Sequence, residues 1–213
     1  MKKSFSGYYE ALFIGVFLAL GFEMFLASPV SAEPVVEWER AYGGRNVDEA
    51  HAIQQTRDGG YIVAGGSKSR NADASQNHGL MDFWVIKLKE DGTLEWEKSL
   101  GGSKDDVAES IGQTTDGGYI VAGYSESSDG DVSGNHGSRD FWVVKLSAKG
   151  NMEWQRPLGG EGRDQAYSVR QTTDGGYIVA GHSDSQAGDV KGNHGDSDFW
   201  IVKLKSNGEL DWQ

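Results

Sequence analysis

The chain has 213 residues, a formal net charge of −12 at pH 7, no cysteine, 31 glycines and only 3 prolines. The acidic excess argues against nucleic acid and anionic membrane surfaces as partners. The lack of cysteine excludes disulfide bonds and lipid attachment through a thiol. Abundant glycine together with 7 tryptophans and 8 tyrosines predicts many short strands joined by tight turns.

The first 32 residues have the layout of a secretory signal peptide. Lys2 and Lys3 precede an apolar run at 11–27, and the small-residue pattern Val30-Ser31-Ala32 follows. The alternative is an uncleaved anchor, but the run is short for a membrane span of about 20 residues. We therefore expect a protein that is secreted, periplasmic or held at the cell surface, with residues 33–213 as its folded domain.

Residues 33–213 repeat with a period of 58 residues. The segment QTTDGGYIVAG at 113–123 recurs unchanged at 171–181 and with one substitution at 55–65. A fixed period of this length predicts a repeat architecture in which each unit buries its apolar face on the next. The units span about 38–95, 96–153 and 154–211.

Four strands are predicted within each unit. In the second unit they cover 108–114, 119–123, 141–146 and 152–158, and an Asp-Gly-Gly turn joins the first two. The second and third strands are apolar without alternation, which is typical of strands covered on both faces. A lone strand at 35–42, with a sequence like that of the fourth strand, is expected before the first unit.

Four antiparallel strands per repeat are typical of a β-propeller blade. The sequence therefore predicts an all-β, β-propeller-type tandem repeat of three four-stranded blades, with a β-trefoil as the alternative. Propellers have about four to eight blades, so three are too few for a ring. We expect either a homodimer that completes a six-bladed ring or a longer array of which this chain is a part, and not a stable closed monomer.

Three motifs carry a resemblance that covers residues 35–213. They are T-x-D-G-G-Y-I-V-A-G, G-N-H-G-x-x-D-F-W-V-V-K-L and G-x-x-x-W-x-x-x-L-G-G. The pattern resembles the repeats of large secreted or cell-surface bacterial proteins, which are taken to be β-propellers. Its G-x-x-x-W part is also similar to blade segments of quinoprotein-type propellers. The resemblance implies no defined activity, although some members carry the label endoglucanase-like.

The long polar loops after the second and fourth strands are the expected binding face, since function concentrates on loops held by a rigid scaffold. The repeats differ there, and these differences predict a contact surface for a glycan or a protein. The candidate ligand-binding residues are Arg45, Ser103, Glu161, Tyr124 and His182.

The loop of the second unit places oxygen-bearing side chains at every second position from 129 to 135, as a calcium site requires, although the third unit has Ala187 at the first of these positions. The candidate calcium ligands are Asp73, Asp129, Asp131 and Asp189. The alternative is a loop whose side chains satisfy its own backbone. One histidine per unit, at positions 78, 136 and 194, is interpreted as bracing the same loop.

No catalytic motif is recognised, and every acidic candidate recurs in each unit. A catalytic site normally breaks such symmetry, because one group must differ in pKa from its partner. We therefore predict that the chain is not an enzyme but a non-catalytic module, with no cofactor apart from calcium and no nucleic-acid partner. The alternative is a carbohydrate-active, endoglucanase-like hydrolase or part of one.

Overall fold

The computed structural model describes residues 35–74 and 76–213, so the predicted signal peptide at 1–32 lies outside the described residues. Residues 37–213 form one compact unit; of the other unit, residues 1–36, only Val35 and Val36 are described. The described residues contain twelve strands and no helix. None of them therefore belongs to a helix that could cross a membrane.

The strands form three four-stranded antiparallel sheets of identical layout, and the sheets do not close into a barrel. Within each sheet the strands lie in chain order. The first sheet consists of β1 (Asp48–Gln55), β2 (Tyr61–Ser67), β3 (Asp82–Leu88) and β4 (Leu94–Leu100). The second consists of β5 (Asp106–Gln113), β6 (Tyr119–Ser125), β7 (Asp140–Leu146) and β8 (Met152–Leu158). The third consists of β9 (Asp164–Gln171), β10 (Tyr177–Ser183), β11 (Asp198–Leu204) and β12 (Leu210–Trp212).

This layout confirms the prediction of an all-β repeat of three four-stranded units. The prediction of a further strand at 35–42 is wrong. Those residues form no strand, because a fourth strand pairs with the third strand of its own sheet and the described residues contain none before β1. The segment contacts the first sheet through side chains instead. The Trp38 ring lies 5.7 Å from the Tyr61 ring, and the Tyr42 hydroxyl donates to the carbonyl of Gly92.

Aromatic contacts join consecutive sheets at two junctions. Phe83 of the first sheet meets Trp142 of the second with ring centroids 4.5 Å apart, and Phe141 meets Trp200 of the third at the same distance. A tryptophan of the fourth strand also packs on the next sheet at each junction. The Trp96 ring lies 5.8 Å from the Tyr119 ring, and the Trp154 ring lies 5.6 Å from the Tyr177 ring. Each junction is continuous with one apolar core cluster, so the sheets stabilise one another by stacking.

The first strand of every sheet contains a β-bulge that leaves one residue without a cross-strand partner. These residues are His51, Glu109 and Tyr167. Opposite the second bulge lies Gly123, the last residue of the repeated segment. A Cβ there would lie 1.9 Å from the carbonyl oxygen of Val107, and the same distance separates the equivalent atoms in the other two units. The bulge therefore requires glycine at this position.

The Asp-Gly-Gly turn binds a buried lysine of the third strand. Lys145 Nζ lies 3.0 Å from Asp116 Oδ2 and donates to the Leu146 carbonyl at 3.0 Å. The equivalent lysine–aspartate pairs of the first and third units measure 3.0 and 2.9 Å. A Cβ on Gly118 would lie 2.5 Å from Lys145 Nζ, so the second glycine of the turn leaves room for the ammonium group.

We predict that Gly123→Ala destabilises the protein by about 3 kcal/mol or more, because the added methyl group must displace the backbone of Val107 and Ala108 just before the bulge residue. The matched control is Gly112→Ala in the neighbouring strand. A Cβ there meets nothing closer than 3.7 Å, so this variant should be neutral or more stable by about 0.4–1 kcal/mol. Denaturant unfolding measures both, and equal effects of the two substitutions would contradict the bulge explanation.

Candidate functional site

The bulge residues come together because the first strands of the three sheets are neighbours, β5 contacting β1 and β9 contacting β5. Imidazole Nδ1 of His51 lies 3.0 Å from Glu109 Oε2 and 3.0 Å from the carbonyl oxygen of Ala108. On the other side of Glu109, Gln165 Nε2 donates to its Oε1 at 3.1 Å. A chain of hydrogen-bonded polar side chains therefore crosses both junctions at the level of the bulges.

Arg139 extends this chain toward the loops. Its Nη1 donates to Gln165 Oε1 at 3.1 Å, and its Nη2 and Nε donate to Glu126 Oε1 at 2.7 and 3.3 Å. The guanidinium carbon lies 3.8 Å above the centroid of the Tyr124 ring, a cation–π contact. Burial raises the pKa of the Tyr124 hydroxyl, so this group stays protonated and able to donate a hydrogen bond.

Aromatic side chains complete the group on the third sheet. The Tyr167 ring lies 5.5 Å from the His182 ring at an angle of 32°, and 52 % of Tyr167 is exposed. His182 is the direct cross-strand partner of Gln165. We call this group the inner-strand cluster, and it consists of His51, Glu109, Tyr124, Glu126, Arg139, Gln165, Tyr167 and His182.

Two of the five predicted ligand-binding residues, Tyr124 and His182, belong to the inner-strand cluster. Arg45, Ser103 and Glu161 lie exposed in the loops before the first strands and are not part of it. The backbone N–H groups of Arg45 and Ser103 donate to the side chains of Asn71 and Asp129 at 3.1 and 2.8 Å.

The cluster residues missed at the sequence level were detectable. His51, Glu109 and Tyr167 occupy one repeat position, 58 residues apart, and differ completely in chemistry. The same is true of Met81, Arg139 and Ser197. Departures from the repeat within the first strand and immediately before the third strand, and not only in the long loops, were the signal.

The candidate calcium ligands bind backbone. Each of three aspartates accepts a hydrogen bond at Oδ2 from a glycine N–H in the loop before the first strand of its sheet. The pairs are Gly43 with Asp73, Gly101 with Asp131 and Gly159 with Asp189, at 3.3, 3.2 and 3.3 Å. The hydrogen bond from the Ser103 backbone lowers the pKa of Asp129. Within residues 35–74 and 76–213, no three acidic or histidine side chains form a group that could hold a metal ion. Calcium binding stays a prediction.

The three loop histidines bind the carboxylate that begins the third strand. Nδ1 of His78, His136 and His194 lies 2.7, 2.7 and 2.9 Å from Oδ2 of the aspartate four residues later. The backbone N–H of each histidine donates to the same oxygen. These contacts agree with the interpretation of the histidines as loop braces.

A pair of buried carboxylates lies at each junction. Asp82 and Asp106 occupy the first junction and Asp140 and Asp164 the second, all fully buried. Oδ1 of Asp82, Asp140 and Asp164 has no hydrogen-bond partner. Burial raises the pKa of Asp82, Asp106 and Asp140, and the charge of Asp82 adds a smaller upward effect on Asp106. These carboxylates are closed to any substrate.

We predict that Asp82→Asn stabilises the protein near neutral pH, on the order of 1 kcal/mol, because it removes a buried charge with an unpaired oxygen. A raised pKa means that wild-type stability is lost as the pH rises through the folded-state pKa. The advantage of the variant should therefore shrink as the pH falls and Asp82 binds a proton. Denaturant unfolding at several pH values measures this difference.

The matched control is Asp198→Asn, at the same repeat position in the third unit. There the hydrogen bond from the His194 backbone lowers the carboxyl pKa, so the ionised form favours the fold and the variant should gain no stability near neutral pH. A gain in the control as large as in Asp82→Asn would contradict the assigned effect of burial.

Comparison with known proteins supplies no relative from which a role could be transferred. No protein-family model matches the chain, and no curated protein sequence matches it significantly. Function must therefore be inferred from the residues themselves.

Proposed function

We propose that the chain is a non-catalytic, β-propeller-type binding module of a secreted or cell-surface protein, and that the inner-strand cluster binds a neutral glycan. The propeller assignment is supported by three sheets that stack face to face with their first strands side by side. In a trefoil, strands of different units pair to close a barrel, whereas each described strand here pairs only with its neighbours in chain order within one four-stranded sheet. The secretory location is supported by the sequence of residues 1–32.

The observation that carries the ligand assignment is the exposed Tyr167 ring beside hydrogen-bonding side chains of different character. A sugar ring has an apolar face of C–H groups, which packs on an aromatic ring, and hydroxyl groups that both donate and accept. Glu109 accepts, Arg139 donates, and the Gln165 amide does both. A few polar groups beside an aromatic surface are typical of small-ligand sites, and the acidic chain favours a ligand without negative charge.

The carboxylates support binding more than hydrolysis. Glycosidases generally use two carboxyl groups that flank the bond to be cleaved. Of the accessible carboxylates in this region, Glu126 is bound by the Arg139 guanidinium, and Glu49 and Glu109 both contact the imidazole of His51, at 3.6 and 3.0 Å. The imidazole thus fills the space between them, where a hydrolase would hold its substrate. The fully buried carboxylates of the junctions are out of reach of a polysaccharide.

Calorimetric titration with neutral oligosaccharides tests the proposal. We expect Tyr167→Ala to weaken binding about tenfold or more, because losing an aromatic contact in a binding site costs about 1.4 kcal/mol or more. The control, Arg45→Ala, removes an exposed loop side chain outside the cluster and should leave the affinity unchanged. Loss of binding in the control but not in Tyr167→Ala would move the site to the loops.

The same preparations distinguish binding from turnover. Polysaccharide incubated with the wild type should release no new reducing ends, because neither class of carboxylate is arranged for hydrolysis. Glu109→Gln is the informative comparison, since it keeps the size of the side chain and removes its charge. Release of reducing ends by the wild type that disappears in Glu109→Gln would establish the hydrolase alternative.

A further inference from the structure

The outer face of the third sheet exposes residues whose repeat equivalents are buried. Phe199 is 94 % exposed, whereas Phe83 and Phe141 at the same repeat position are fully buried at the junctions. Ile201 is 40 % exposed, whereas Val85 and Val143, its equivalents, are also fully buried. This face therefore has the residues of a junction, and no sheet formed by residues 35–74 and 76–213 covers it.

The outer face of the first sheet has the complementary feature. A cavity of about 310 Å³ lies against it, lined by Trp84, Ile53, Val63, Trp38 and Tyr42 among others. Trp84 holds the repeat position of Trp142 and Trp200, which receive Phe83 and Phe141 at the two junctions. Ile53 is 63 % exposed, although its equivalents in the other units are buried.

The cavity lies beside the position that a third strand of a preceding sheet would take. At the two junctions the third strand of the preceding sheet lies beside its own fourth strand and covers the next sheet. Next to the first sheet, residues 38–42 take the place of that fourth strand, with Trp38 already on Tyr61 as Trp96 is on Tyr119. Trp38 leaves no room there for Trp212, so docking of β11 requires β12 to leave its pairing with Lys203 and Leu204.

The strand that fits is β11. Its sequence, DFWIVKL, matches DFWVIKL and DFWVVKL of β3 and β7. The fourth strand β12 pairs only with Lys203 and Leu204, whereas β4 pairs along β3 as far as Phe83. Within the described residues, the outer edge of β11 from Phe199 to Val202 therefore has no strand partner. By the register of β3 with β4, Arg40 of another molecule would lie opposite Ile201.

We propose that the third sheet of one molecule docks head to tail on the first sheet of a second copy of this chain, with Phe199 against Trp84 of that copy. Two such contacts related by a twofold axis would close a ring of six sheets. The contact also places Tyr167 near His51 of the second copy, as Glu109 lies near His51 within one molecule. The inference rests on sheet stacking and not on glycan binding, so a failure of the glycan proposal leaves it standing.

Light scattering coupled to size-exclusion chromatography tests the contact on the folded chain, residues 33–213. We expect a dimer that dissociates on dilution, and a monomer for Phe199→Glu with an unchanged melting temperature at low concentration, where both are monomeric. Leu80→Glu is the control, because Leu80 is also exposed but is not part of either outer face, and this variant should remain dimeric. A wild type that is monomeric throughout, or a dimeric Phe199→Glu, would overturn the proposal.

Cysteine cross-linking tests the head-to-tail direction, and the chain has no cysteine of its own. Arg40→Cys and Ile201→Cys are made as separate variants and oxidised alone and as a mixture. The proposed register predicts a covalent dimer in the mixture and in neither variant alone. Cross-linking of one variant with itself would mean that like faces meet and would sink the proposal. Open-ended assemblies in place of a dimer would exclude the closed six-sheet ring.

Discussion

The stacking of a phenylalanine of one sheet on a tryptophan of the next is the interaction on which the rest of this structure depends. A single four-stranded sheet of this size has two apolar faces and cannot cover either by itself. The Phe83–Trp142 and Phe141–Trp200 contacts cover those faces pairwise and fix the spacing between sheets. The buried carboxylate pairs and the hydrogen-bonded chain of the inner-strand cluster both lie where this stacking brings neighbouring sheets together.

The same stacking explains why the repeated segment is so invariant. The aspartate of its turn binds a buried lysine, the second glycine leaves room for that ammonium group, and the last glycine accommodates the bulge. The apolar residues between them form the strand that is covered on both faces. Nearly every position in the segment therefore makes a contact inside the fold, so few of its side chains are available to bind a ligand.

The sequence was sufficient to predict the order and approximate bounds of the four strands in each repeat, because a two-sided apolar pattern between glycine turns permits few other structures. It was insufficient where the outcome depends on a neighbouring unit. The segment at 35–42 resembles a fourth strand but forms none, since strand formation depends on a pairing partner and not on propensity alone. The bulge residues and Arg139 differ between the repeats, and that difference was the available signal. Their contacts were not predictable, because the partners of Arg139, which are Gln165, Glu126 and Tyr124, converge only after the sheets have stacked.

The bulge also bears on how such a chain can diversify after duplication. A residue in a regular strand packs beside a partner on the neighbouring strand, so a substitution there affects two positions at once. The skipped residue of a bulge has no such partner, and histidine, glutamate and tyrosine all occupy it without altering the flanking register. Each copy of the unit thus contributes one side chain whose identity can change while the strand pairing around it stays fixed. A scaffold made of near-identical parts can in this way carry a surface whose chemistry differs from one part to the next.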